Sequence, residues 1–315
     1  MDFDRRPAVF QNNALIDCKK RNLNEKQTKL YYLGLRKIVA DLPETSQAKR
    51  PEFTGDLVVN ISKAELVARF GQKWVDNDMY KETDKLMSKA RIRVKNSNNE
   101  WIVYNIFSYV SFKNDKLTIK FTDDIAPYIL NLSDGCFTKV PLEDVMKLKS
   151  TYSIRLLELM LKVINGGKKR KFSCEDLREF LNVGDGEYQR MEAFKRKVLD
   201  APIKEVNEKT EYLLDYEPTR TGRKITGFDM TIKRKTGREK QEQAKEEKKI
   251  SAVVKSLMKL DEVVKTAGIS EKEALKSLQA KYQLTDKEMM VALKEAKRLK
   301  VRDDSKFIKK LLTYD

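Results

Sequence analysis

Two arginines and their neighbours carry the first chemical signal. Between Tyr188 and Asn207, Met191, Phe194, Val198 and Ala201 cluster on one side of a helical wheel. The opposite side presents Gln189, Arg190, Ala193, Arg196, Lys197, Lys204 and Asn207. An arginine fork can donate two parallel hydrogen bonds to guanine O6 and N7, and a small alanine lets a helix come close. Arg190 and Arg196 stand six residues apart, nearly two turns and roughly 9 Å along a helix axis, which suits bases a few steps apart. Pro202 lies in the same segment, where it lacks a donor and crowds the previous turn. A kink is therefore expected, with the base-reading part before it.

A second face of this kind runs over about Asp76 to Ala90. Met79, Thr83, Leu86, Met87 and Ala90 form its inner side, and Asn77, Lys81, Lys85, Ser88 and Lys89 its outer side. Lysines act as point charges on phosphates more than as base readers, so this half is expected to bind with less specificity. Arg91, Arg93 and Lys95 extend the basic track, and Arg223 and Lys224, after Gly222, sit at a second basic point.

Other chemistries are missing. The 315 residues contain no histidine, which excludes Ser-His-Asp and Cys-His catalysis and any His-ligated metal, including the His-paired metal of rolling-circle nickases. Cys18, Cys136 and Cys174 are far apart with no C-x-x-C, so neither a zinc ribbon nor a disulfide framework is expected. Gly166-Gly167-Lys168 is a turn rather than a P-loop, and no cofactor is implied. The apolar stretch from Ile154 to Ile164 is short and carries Arg155, Glu158 and Lys162, so no membrane span is expected. The start Met1-Asp2-Phe3-Asp4 has no signal-peptide core. With 65 Lys and Arg against 48 Asp and Glu, the net charge is +17. The expectation is a cytoplasmic, non-enzymatic binder of double-stranded nucleic acid.

The elements that must hold these faces occur twice. Ser62-Lys63-Ala64-Glu65-Leu66 and Ser173-Cys174-Glu175-Asp176-Leu177 both open a short helix with a capping serine and an acidic residue three later. Each helix ends near a glycine, Gly71 or Gly184, and a longer polar helix follows. Leu117, Ile119 and Phe121, and again Phe228, Met230 and Ile232, then alternate with polar residues as half-buried strands do. Hairpin tips are expected at Lys113-Asn114-Asp115-Lys116 and Thr221-Gly222-Arg223-Lys224. Helix, turn, helix and hairpin in that order describe a winged helix. Amphipathic helices at about Glu25 to Ala40 and Leu142 to Ile164 lead into the two units.

The fold expected is α+β, with two winged-helix domains related by pseudo-symmetry and a charged helical C-terminal tail. The boundaries are residues 1–22 as an N-terminal arm, 23–138 and 139–234 as the two domains, and 235–315 as charged linker and tail. In that tail Ser270-Glu271-Lys272-Glu273 and Thr285-Asp286-Lys287-Glu288 are capping boxes opening helices of about ten and fifteen residues.

Several strings in this order resemble plasmid replication initiator (Rep) proteins of the iteron-binding, theta-replicating family. They are Val9-Phe10-Gln11-Asn12-Asn13-Ala14-Leu15, Phe137-Thr138 and Leu148-Lys149-Ser150-Thr151-Tyr152-Ser153-Ile154-Arg155-Leu156-Leu157-Glu158-Leu159. The block from Phe172 to Ile232 follows, with Tyr188-Gln189-Arg190-Met191, Phe194-Lys195-Arg196-Lys197-Val198-Leu199 and Ile203-Lys204-Glu205-Val206-Asn207. The similarity covers roughly residues 8 to 234. It implies binding of direct repeats at a plasmid origin as a monomer, with the second domain giving most base specificity through Arg190 and Arg196. It also implies dimers that bind an inverted repeat and repress their own gene, and host partners in an initiator ATPase and a replicative helicase. No nuclease or ATPase site belongs to that family. A repressor with no initiator role remains the alternative from the residues alone, and a tyrosine recombinase is disfavoured because that class generally uses a catalytic histidine.

Overall fold

The structure is a computed structural model that describes residues 8–17, 23–40, 57–95, 100–130, 137–164, 167–260, 264 and 270–300. Cys18 and Cys136 lie outside the described residues, and Cys174 is a free thiol. The chain divides into two compact units, Met1–Arg234 and Lys235–Asp315.

The first unit begins with a correction. Residues 8–17, expected within an arm, form strand β1 (Ala8–Asn12) and helix α1 (Asn13–Asp17). β1 pairs antiparallel with β7 (Phe137–Pro141), from Ala8 opposite Pro141 to Asn12 opposite Phe137. Val9, Gln11, Leu15 and Ile16 are buried there, so the segment is core.

Helix α2 (Glu25–Ala40) then leads into the first winged helix, burying Leu30, Leu33 and Ile38. β2 (Val58–Ser62) hands over to α3 (Lys63–Phe70) at Ser62, whose hydroxyl accepts the Glu65 amide at 3.2 Å. Gly71, at φ 87, turns the chain out of α3. The polar helix expected over Asp76 to Ala90 is two pieces, α4 (Gln72–Asn77) and α5 (Met79–Lys89), divided at Asp78. Its inner face is as expected, with Met79, Thr83, Leu86 and Ala90 buried. β3 (Arg91–Lys95) and β4 (Trp101–Asn105) form a separate two-stranded ribbon. β5 (Phe107–Lys113) and β6 (Lys116–Phe121) add to β2 in the order β2-β6-β5. Asn114 and Asp115, at φ 50 and 54, make the tight turn of that hairpin. A 3₁₀ turn (Asp123–Ile125) and α6 (Ala126–Leu130) follow before β7.

The second winged helix repeats the plan. Its lead-in, expected as one helix from Leu142 to Ile164, is α7 (Leu142–Lys147) and α8 (Thr151–Ile164) with an extended break at Leu148. β8 (Lys169–Ser173) passes to α9 (Cys174–Phe180), again through a serine cap, Ser173 accepting from the Asp176 amide at 3.0 Å. The next helix runs as α10 (Met191–Phe194), a π-helical turn (Lys195–Asp200) and α11 (Ala201–Lys209). β9 (Tyr212–Thr221) and β10 (Lys224–Arg234) form the hairpin, and the sheet order is β8-β10-β9. Gly222, at φ 61, takes the first central place of its two-residue turn. Gly227 is required by close approach, since a Cβ there would meet the Phe172 carbonyl oxygen at 2.4 Å. One contiguous apolar core runs through both winged helices, from Val9 to Ile232.

The second unit is helical. α12 (Gly237–Met258), α13 (Glu271–Lys281) and α14 (Asp286–Lys300) pack around Val253, Leu257, Ala274, Met289, Ala292 and Ala296. The capping boxes of Ser270 with Glu273 and Thr285 with Glu288 are formed. A further one, Thr236 with Glu239, opens α12. Among the described residues no helix is long and apolar enough to cross a membrane.

Candidate nucleic-acid interface

The recognition helix is not the straight α-helix its wheel assumes. Pro202 has no amide to donate, and its ring displaces the carbonyl four residues back. The chain answers with the wide turn at Lys195–Asp200, which inserts one residue and lets the helix continue without breaking. The inserted residue shifts the buried face. Phe194 and Val198 are buried before it, and Pro202, Ile203 and Val206 after it, whereas Ala201, expected inside, is exposed.

Arg190 is likewise displaced from the wheel. It is the residue immediately before α10, extended at φ −69 and ψ 126, so the helix begins at Met191 rather than Tyr188. The leading end of a recognition helix is the part that meets base edges, which is where this places it. Gln189, Arg190, Arg196, Lys197 and Lys204 are all exposed, Lys204 beside Glu208 at 3.6 Å. Asn207 is a correction. Its amide donates to the Leu214 carbonyl at 2.9 Å and accepts from the Leu214 amide at 2.7 Å, so it ties α11 to β9 instead of facing DNA.

Four residues outside the expected site position this helix. Arg178 of α9 stacks its guanidinium 4.5 Å from the Phe194 ring centre. The same side chain donates to the Glu187 and Tyr188 carbonyls at 3.0 and 2.7 Å, holding the turn just before Arg190. Tyr152 of α8 backs that turn, and burial, then Tyr188 and Glu187, push its hydroxyl up to about 12. Tyr216 of β9 donates to Asp200 at 2.6 Å beneath Lys195, its pKa raised by burial and then by Asp200.

Glu205 of α11 accepts the Lys149 and Ser150 amides at 2.9 and 3.0 Å and the Ser153 hydroxyl at 2.7 Å, and pairs with Lys209. It thereby caps α8 from the recognition helix. Burial works to raise its carboxyl, but the bonds from Lys209, Ser153 and the two amides outweigh it and hold it below the usual range. None of these contacts is visible to a periodicity argument.

The wing tip presents Arg223 and Lys224 exposed, joined by exposed Arg220, a cation two residues before Gly222 that adds to the expected set. On the first winged helix Lys81, Lys89 and Arg91 are exposed and Lys85 is half-buried near Glu82 at 3.9 Å. Asn77 is exposed but closes α4 rather than lying on α5. Arg93 pairs through its backbone with Val103, and its side chain lies outside the described residues. In all, the two helices and both hairpins display exposed cations on a duplicated frame, with Lys113 and Lys116 flanking the first tip.

Two winged helices in tandem, each offering an exposed basic helix and joined by one core, define a DNA-binding class of fold. Comparison with known proteins specifies the family. Residues 8–161 match the model described as "Initiator Replication protein, WH1", and residues 173–232 match "Initiator Rep protein, WH2". The chain belongs to this family of plasmid Rep initiator proteins. A replication initiation protein of Escherichia coli is 24% identical over 205 residues, 64% of this chain and 62% of the relative. The PI protein of Escherichia coli is 34% identical over 132 residues, 37% of this chain and 43% of the relative. The matches thus span less than two thirds of these relatives' own length. In solved form, a crystal structure of Pi initiator protein in complex with iteron DNA shares the fold. Its TM-score is 0.55 at 23% identity, covering 74% of this chain and 99% of that one.

Proposed function

We propose that this chain initiates plasmid replication by binding direct-repeat DNA at the origin through both winged helices, without catalysing a reaction itself. The observation that carries the proposal is the presence, within one compact unit, of two exposed basic sets, Arg190 and Arg196 in the second winged helix and Lys81, Lys89 and Arg91 in the first. Gln189, Lys197, Lys204, Arg223 and Lys224 add phosphate contacts in the second half, and Asn77 and Lys85 in the first. The site of action in this proposal is the bacterial cytoplasm.

A minimal replicon with the gene supplied in trans is the direct test. Replication of an origin plasmid that otherwise fails supports initiation, and binding without replication leaves a repressor only. Supercoiled origin DNA incubated with the protein should show no nick and no covalent product. A two-domain grip neutralising on the order of 6–10 phosphates gives a steep fall of log K with log salt, and a slope shallower than about −3 argues for one domain only.

Self-association belongs to the same proposal. β4 exposes Trp101, Ile102 and Val103 and β5 exposes Tyr109 and Phe112, apolar residues on strands of the kind that pair with a second copy. Charge substitutions there should abolish binding to an inverted repeat while single direct repeats are still bound. The initiator ATPase and replicative helicase of the host are the further partners that the family resemblance supports.

A further inference from the structure

A chain of polar side chains and the helix between them link the two basic helices of the winged helices. On α5, Glu82 accepts from Asn24 and from the Gln27 amide at 3.1 Å, which fixes α5 to the start of α2. Further along α2, Tyr32 donates to Glu158 of α8 across 126 residues of sequence. Glu158 pairs with Arg155, and Arg155 donates to the carbonyls of Ile16 at 3.0 Å and Phe180 at 3.1 Å. Phe180 closes α9, and on the same helix Arg178 holds the turn that presents Arg190. Tyr32 and Glu158 have no exposed surface, and Arg155 is 4% exposed.

Replacing a buried ion pair with apolar residues of similar volume is often neutral for stability, so the pair itself is weak evidence of a stabilising role and leaves room for a positioning one. Hydrogen bonds fix angle and distance, whereas apolar contacts let packed helices slide. We propose that Tyr32, Glu158 and Arg155 are positioning residues that set the distance and phase between α5 and the recognition helix. They thereby set the spacing between the two halves of the DNA repeat that the chain accepts. This rests on the proposal that both winged helices lie on one repeat.

One inserted base pair moves the halves apart by about 3.4 Å and rotates them by about a tenth of a turn. The test measures binding of the full chain to duplexes with zero, one added or one removed base pair between the halves, located first by footprinting the wild-type chain. Wild type should weaken about tenfold or more on either altered spacing. Tyr32→Phe and the double variant Arg155→Met with Glu158→Met should bind the native spacing within about fivefold of wild type, yet discriminate the spacings by less than about threefold. The double variant leaves no lone buried charge. Should its thermal melt show it unfolded, Tyr32→Phe, which removes one hydroxyl, carries the comparison. The proposal is overturned if a folded variant keeps the wild-type spacing ratio, or loses affinity equally on every duplex. Indifference of the wild type to spacing would instead overturn the two-domain grip beneath it, a result distinct from failure of the variants.

Discussion

The two winged helices share a frame and differ in what they hang on it. Each has a serine-capped first helix, a polar second helix and a β-hairpin on a three-stranded sheet. The first offers Lys81 and Lys89 on α5 and ends its hairpin in Asn114-Asp115, with Asp115 held 3.6 Å from Lys63. The second offers Arg190 and Arg196 and ends its hairpin in Gly222-Arg223. Ammonium groups attract phosphates from many directions, whereas guanidinium forks demand one geometry. Precise positioning is correspondingly concentrated in the second half, where Arg178, Tyr152, Tyr216 and Glu205 all brace the helix. A duplicated scaffold has been specialised by side chains and their supports, with no change of fold.

The largest expected effect is on the arginines. Arg190→Ala or Arg196→Ala should each cost about 1–3 kcal/mol on the cognate repeat and relax preference at one base pair. Titrations against the repeat and a scrambled duplex measure both. If both variants discriminate as well as wild type, the contrast between the halves is wrong.

Next comes Glu205. Glu205→Gln keeps the shape but cannot accept from the Lys149 and Ser150 amides through both oxygens, and should cost about 1–2 kcal/mol of stability. The pH dependence has a definite sign. A carboxyl held below its ordinary 4.5 when folded contributes stability above that value and loses it as pH falls through the folded pKa. Wild type and Glu205→Gln should therefore differ in melting temperature at pH 7 and converge in acid. A constant difference down to pH 2 would show that the carboxylate charge plays no part.

How far these features were legible depends on their range in sequence. The duplicated caps, α2 with its bounds, the hairpin tips and the alternation of Leu117, Ile119 and Phe121 are local, and period and turn chemistry report local order well. The exposure of Arg196 is legible for the same reason. The failures are of two kinds. Pro202 signals a disturbance, but a 100° wheel cannot absorb an inserted residue, which puts Ala201 on the wrong side; Arg190 is a boundary error, since the helix starts one residue after it. Contacts between distant segments leave no periodic trace, as with β1 and β7 or Tyr32 and Glu158, and neither does the shorter-range tie of Asn207 to the strand that follows it across a turn.

A smaller effect is expected from the lysines of the first half. Lys81→Ala and Lys89→Ala should each weaken cognate and scrambled DNA alike, by a few-fold, and make the salt slope shallower by about one. A loss confined to the cognate repeat would make α5 a base reader and erase the contrast.

The smallest effect tests the hairpin tips against each other. In the first half the tip sets Asn114 and Asp115 between exposed Lys113 and Lys116, so it carries one acid among its cations, whereas the second tip exposes Arg223 and Lys224 with no acid. An anionic residue against phosphates would repel them, and Asp115 is instead satisfied near Lys63, whose amide donates to its carbonyl at 2.8 Å. Asp115→Asn removes the charge and keeps a residue type tolerant of φ 54. It should change DNA affinity by less than about twofold if this tip stands off the duplex, since a charge more than a Debye length from the phosphates is largely screened at about 0.15 M salt. Arg223→Ala, at the equivalent tip of the second half, should weaken binding several-fold and flatten the salt slope by about one. Measured side by side at two salt concentrations, a marked gain from Asp115→Asn would put both hairpins on the DNA. The two halves would then differ in their helices alone.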